Sequence, residues 1–394
     1  MPRLLLTINT MRVDSDRIES RNGRKSLQES ANSQRPAWTV IGGGNGGQAL
    51  AGQLAMMGFS VCLYDIVPET VDAIRRRGCI HVDGVVQGDG TVAGVTGDLA
   101  EALDGADIVM VVAPAVAHAD IARQCAPLLQ DGQIVFIHPG ATGGALEFRQ
   151  VLDRQNCRAA VTLAEANSLL YACRLSEPGC VSIFGIKKEL TVTALPAAET
   201  GKVLDRLQTA FPQMKPGRNV LETSLGNPNA MMHPAPTVLN TSMIESGRDW
   251  LYYWDGITPT IGDFVEALDG ERLALAAAFG MQLPSIRSWY RMAYCVQGDS
   301  LSEVVRKNSA YSGVRGQKSL LTRYILEDVP TGLVPMVSLG RQLNIDMPRM
   351  DTVIRMCEFL TGRDLTAAGR TAERLGLAGM DAEQILRYVE TGRR

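Results

Sequence analysis

The run Val40-Ile41-Gly42-Gly43-Gly44-Asn45-Gly46-Gly47-Gln48-Ala49 constrains the fold of this chain more than any other stretch. Gly42, Gly44 and Gly47 have the spacing G-x-G-x-x-G between a β-rich apolar run, 38–42, and a helical run, 46–57. Each glycine has a mechanical reason: Gly42 permits the tight turn, Gly44 lets backbone approach a pyrophosphate, and Gly47 allows close packing of strand and helix with the helix N-terminus aimed at the phosphates. Asp65 ends the next β-rich run, 18 residues after Gly47, where a carboxylate can bind a ribose 2′-hydroxyl. The residues expected to hold a dinucleotide are therefore Gly42, Gly44, Asn45, Gly46, Gly47 and Asp65. Asp65 favours NAD(H), because a 2′-phosphate would meet a carboxylate with no arginine beside it; NADP(H) is the alternative. Arg75, Arg76 and Arg77 lie one predicted helix further on and read as a solvated helix end.

From Trp38 the pattern alternates short apolar strands with helical stretches, the signature of a mostly parallel sheet with crossover helices. Strands are expected at 38–42, 60–65, 107–112, 133–137, 159–164 and 180–185, with helices at 116–129 and 144–154. An α/β segment at 189–211 has Pro196 at its helix start. Beyond about residue 222 the strand signal fades. Helices are expected at 242–246, 260–279, 285–296, 325–343 and 350–359, and two short ones in 366–394, the second capped at Asp381. The expected architecture is an α/β Rossmann-type N-terminal domain, 37–221, followed by an all-α C-terminal domain, 222–394, that carries substrate and catalysis. Residues 1–36 are polar and charged after a short apolar start, contain Asp14, Asp16, Glu19 and Glu29, and are expected to form a disordered extension rather than a targeting peptide.

The chain has 394 residues, enough for two cores, and a formal charge of −3, which provides no field for capturing nucleic acid or an anionic membrane. No apolar run approaches the ~20 residues of a membrane span. The eight cysteines are scattered without a CxxC pair or a histidine at ligand spacing, so they read as reduced thiols of a cytoplasmic protein with no metal site.

Several segments, in order, resemble the opine dehydrogenases, the octopine and nopaline dehydrogenase family: GGGNGGQALA (42–51), VVAPAVAH (111–118), HPGATGGALEF (138–148), YACR (171–174), GNPNAMMHP (226–234), ALDGER (267–272) and YILEDVPTGLVP (324–335). The resemblance covers the chain from Trp38 to about Glu390. It implies a Rossmann-type domain paired with an all-helical one, and an NAD(P)H-dependent reaction that joins an amino acid to a 2-oxo acid through an imine, pyruvate being the family's usual oxo acid. It also implies a catalytic pair, His233 in GNPNAMMHP and Asp328 in LEDVP, and a cofactor pyrophosphate ligand, Arg323. The chemistry is sensible, since an imidazole can give or take the proton that accompanies hydride transfer while a carboxylate fixes its tautomer.

Other candidates come from the residues themselves. His118 and His138 follow predicted strand ends, the edge where open α/β sheets place ligands. Arg174, after a predicted strand, could meet a substrate carboxylate or form a structural ion pair. Asn240 would share a face with His233 if that stretch were helical, which Pro234 and Pro236 oppose. The cluster Trp250, Tyr252, Tyr253 and Trp254 reads as core packing or as a substrate pocket. The rival readings are a reductase of a lone carbonyl, resembling ketopantoate reductase or glycerol-3-phosphate dehydrogenase, and a non-catalytic NAD(P)-sensing protein. The substrates expected are small molecules; oligomeric state is left open, a homodimer included.

Overall fold

The computed structural model describes residues 35–393, so the expectation for 1–36 lies almost wholly outside the described residues. The strands are β1 (Trp38–Ile41), β2 (Val61–Tyr64), β3 (Ile80–Gly84), β4 (Gly88–Gly90), β5 (Gly94–Thr96), β6 (Ile108–Val111), β7 (Ile134–Ile137), β8 (Thr162–Ala166), β9 (Tyr171–Glu177), β10 (Cys180–Ile186), β11 (Leu190–Leu195) and β12 (Met214–Pro216). Eight of them form one sheet in the order β12-β11-β8-β7-β6-β1-β2-β5. All its neighbours run parallel except β8 and β11.

The central strands are short and apolar throughout because both faces are covered. Along β6, Ile108 and Met110 point to one core while Val109 and Val111 point to the other; β7 divides Ile134 and Phe136 from Val135 and Ile137 in the same way. The first core lies under the helix Asn45–Met56. The second runs without interruption from the opposite sheet face into the C-terminal helices, where Met231, Leu268, Val329 and Val389 belong to the same cluster. Ala37–Arg394 accordingly form one compact unit.

A second sheet, in the order β4-β3-β10-β9, packs against the helix Asn45–Met56. The stretch 180–185, expected in the main sheet, belongs here instead, pairing parallel with β3 and antiparallel with β9. Arg174 therefore lies inside a strand, not after one.

The C-terminal half is helical, led by Pro259–Ala278, whose N-cap Thr258 accepts from the Ile261 N–H. Two expectations are corrected. Pro234–Leu239 is helical, because both prolines fall in its first turn, where the missing N–H is not required. The stretch 325–343 is not one helix: Arg323–Leu326 gives way to a π-helical turn, Val329–Leu333, and then to Val334–Gln342. Asp381 caps the last helix, Ala382–Thr391, in a reciprocal box with Gln384. All eight cysteines are free, and among the described residues no helix is long and apolar enough to cross a membrane.

Candidate active site

Three backbone segments converge at the glycine turn. Gly42 has φ +111°, and a Cβ on it would stand 2.4 Å from the Val112 carbonyl oxygen; a Cβ on Gly47 would stand 1.7 Å from the carbonyl oxygen of Gly42. Only glycine permits this approach. At Gly44 a Cβ would meet nothing within 4 Å, so the turn opens there onto free space. The helix that follows has 12 residues, no side-chain cap and no acid in its first turn, which leaves its leading N–H groups for an anion. Asp65, at the end of β2, folds back on the turn: Oδ2 accepts from the Gly43 N–H and Oδ1 from the Val67 N–H at 2.7 Å. These features fit a dinucleotide.

Around that core the expected residues are placed unequally. Gly46 is buried against Leu169 and Val112. The Asn45 side-chain carbonyl is engaged by the Leu175 N–H at 2.8 Å, tying the turn to β9. Gln48, which no sequence signal singled out, braces the turn: Nε2 donates to the Gly43 carbonyl at 2.5 Å and Oε1 accepts from the Gly179 N–H at 2.7 Å. Arg75 donates to the Val95 carbonyl at 2.7 Å, and Arg77 pairs with Glu177 at 3.4 Å.

His233 and Asp328, 95 residues apart, meet in the helical half with Nδ1 and Oδ2 2.7 Å apart. Their side chains are only 6% and 5% exposed, so the contact is shielded from competing water. A carboxylate at Nδ1 selects the tautomer and leaves Nε2 as the atom for proton transfer. Local backbone sets the approach. His233 is the joint between the helices Asn229–Met232 and Pro234–Leu239. Asp328 stands where the chain widens: its N–H donates to the Arg323 carbonyl at 3.1 Å, and its carbonyl accepts from the Leu333 N–H at 3.3 Å, both five residues apart. Such π turns recur at functional sites because they re-aim one side chain within a helical run.

Aromatic rings hold the imidazole plane. Tyr324 stacks on it with centroids 3.9 Å apart and planes 10° apart, while Tyr252 meets it edge-on at 6.4 Å and donates its hydroxyl to the His233 carbonyl at 2.9 Å. Burial raises the pKa of both phenols, which keeps the rings neutral. Arg323 lies over the Tyr324 ring, with Cζ 5.7 Å from its centroid and Nη1 3.8 Å from Glu327, and its side chain is 58% exposed, open to an incoming anion.

Other candidates are not brought to this dyad. His118 is fully buried, with Nδ1 accepting from Arg370 at 3.0 Å and Nε2 directed to the Ala113 carbonyl at 3.2 Å, so both nitrogens are engaged within the protein. Burial, then Arg370, pushes its pKa down to about 3. His138 is also buried, accepts from the Leu170 N–H at 3.0 Å, and is pushed down to about 3 by burial and by Lys187. Asn240 is a scaffold residue, donating to the Pro236 and Gly256 carbonyls at 2.7 and 2.9 Å. Arg174 is exposed on β9, the strand that abuts the first helix, not among the helices that carry His233. Trp250, Tyr252 and Tyr253 are core, whereas Trp254 is 48% exposed beneath the Arg306 guanidinium. Arg370 was missed altogether, since a lone arginine in a helical tail carries no motif.

Residues 216–361 match the family described as NAD/NADP octopine/nopaline dehydrogenase, alpha-helical domain. Residues 37–152 match NAD-dependent glycerol-3-phosphate dehydrogenase N-terminus. The chain is 42% identical over 354 residues to an opine dehydrogenase of Arthrobacter sp. (strain 1C), covering 90% of this chain and 98% of that protein. It is 26% identical over 402 residues to the octopine dehydrogenase of Pecten maximus, covering 87% and 97%. A solved structure of octopine dehydrogenase with NADH and L-arginine has the same fold, with a TM-score of 0.76 over 91% of this chain and 98% of that one at 23% identity.

Proposed function

This chain belongs to the opine dehydrogenases, and from that membership we propose how its own residues divide the work. The protein is an NAD(P)-dependent oxidoreductase acting on the CH–NH group of donors: it joins the amine of an amino acid to the carbonyl of a 2-oxo acid, with loss of water, and reduces the resulting imine reversibly. The dinucleotide supplies the hydride when bound. The open N-terminus at Gly44 and Asn45 receives the pyrophosphate, helped by Arg323, and Asp65 takes the adenine ribose. His233 holds the proton at Nε2 and exchanges it with the substrate, while Asp328 keeps the tautomer and stabilises the imidazolium. The observation that carries this assignment is the shielded 2.7 Å contact between the two.

NAD(H) is the preferred cofactor in this reading, because Asp65 faces the turn while Arg75 and Arg77 are held by Val95 and Glu177. The division of labour falls near residue 222. The eight free thiols suit a cytoplasmic setting.

The match of the N-terminal half to a glycerol-3-phosphate dehydrogenase domain reflects a shared nucleotide fold; the helical half separates the readings. The test follows NADH oxidation with a 2-oxo acid alone, an amino acid alone and both together, with the product weighed by mass spectrometry. Oxidation that requires both, with NADH used at higher kcat/KM than NADPH and a secondary amine as product, is the expected result. Equal rates with the oxo acid alone would make the protein a carbonyl reductase. Tight NADH binding without turnover across a broad substrate screen would make it a sensor.

A further inference from the structure

The segment that leaves β6 is held from several sides. Its Val112 carbonyl abuts the glycine turn at Gly42. The Ala113 carbonyl accepts from His118 at 3.2 Å and the Ala115 carbonyl from Arg370 at 2.9 Å. A further restraint also comes from far along the chain: the Ala115 N–H donates to Oε1 of Glu327 at 2.8 Å, across 212 residues. Glu327 is the immediate neighbour of Asp328. The two carboxylates look in different directions, Asp328 to the imidazole and Glu327 to the sheet edge beside the glycine turn.

Resting on the reading above, the geometry points to Glu327 as a positioning residue that locks the backbone carrying the dyad to the edge of the dinucleotide site. A hydrogen bond between a carboxylate and a backbone N–H is short, directional and stronger than a neutral one. The Glu327 side chain is only 17% exposed, so little water competes for it. Its other contact, Arg323 at 3.8 Å, involves a mostly exposed guanidinium and contributes little by itself. The link therefore acts through Ala115. It fixes where the dyad stands relative to the dinucleotide site, and a catalytic group misplaced by about 1 Å can cost about 10²-fold in rate.

Two variants separate this from a merely structural role. Glu327→Ala removes the acceptor, whereas Glu327→Gln keeps an oxygen for the Ala115 N–H and discards the charge. In Glu327→Ala, kcat should fall by about 10²-fold, the scale of a misplacement near 1 Å. KM for NADH should change little, and the isotope effect with 4-deuterated NADH should rise as hydride transfer becomes limiting. Glu327→Gln should recover most of kcat. Independently of activity, hydrogen exchange of the full-length protein without cofactor should show faster exchange at residues 113–118 in Glu327→Ala and wild-type protection in Glu327→Gln.

Unchanged exchange in Glu327→Ala would overturn the proposal, as would equal losses of kcat in the two variants or a fall in kcat with no change in isotope effect. If the wild type condenses no substrate pair, the functional reading fails, and the exchange data still decide whether Glu327 holds the segment.

Discussion

The His233 imidazole is held against the Asp328 carboxylate in a contact shielded from water. His233→Ala should lower kcat by about 10²–10⁴-fold while NADH still binds, the usual scale for a positioned proton donor. Asp328→Asn should lower kcat as well, since an amide neither stabilises the imidazolium nor enforces the tautomer. Steady-state kinetics of both single variants and the double variant decide whether they form a unit: the double variant should lose far less than the product of the single losses. Fully multiplicative losses would break the pair. That these two residues meet was legible only through the segments that resemble a family. The surroundings of His118 were not legible, for the opposite reason. Its place after β6 was read correctly, but its depth and its nitrogen partners depend on Arg370, 252 residues away, which no local pattern reveals.

Between β1 and the helix Asn45–Met56 the glycines differ in what they do, and substitution should separate them. Gly47→Ala drives a methyl into the Gly42 carbonyl, 1.7 Å away, so strand and helix must part. The variant should lose about 1–3 kcal/mol of stability, the cost of overpacking, together with NADH affinity. Gly44→Ala meets no protein atom within 4 Å at an ordinary φ of −76°, so it should unfold like wild type yet bind NADH more weakly. Urea melts and NADH fluorescence titrations read both effects, and a Gly44→Ala protein with wild-type NADH affinity would contradict the placement of the pyrophosphate. At this scale the main sheet was legible wherever strands are buried on both faces, as in β6 and β7. Of the second sheet, only β10 was. β4 reads Gly-Asp-Gly, and β9 is exposed along most of its length, so neither presents an apolar run. The single helix expected over 325–343 failed because periodicity cannot register a π turn, in which one extra residue is absorbed without changing the apolar face.

Arg370 joins the C-terminal tail to the carboxyl edge of the sheet. Its guanidinium bonds Glu147 at 2.7 Å, the Gly140 and Thr142 carbonyls at 2.9 and 3.0 Å, the Ala115 carbonyl at 2.9 Å and His118 at 3.0 Å, with its side chain 1% exposed. Arg370→Met leaves a buried carboxylate and several acceptors without partners, and should cost about 3–5 kcal/mol in urea unfolding. Pairing it with Glu147→Gln should recover part of that loss; a single variant less than about 1 kcal/mol weaker than wild type would show that the hub is not needed. The uninterrupted cluster that runs from Val109, Val111, Val135 and Ile137 into the C-terminal helices has a further consequence. A chimaera that took its nucleotide half from one dehydrogenase and its helical half from another would have to inherit matched side chains on both sides of the seam. Across this lineage the buried seam is then free to change only by paired substitutions, one on each side.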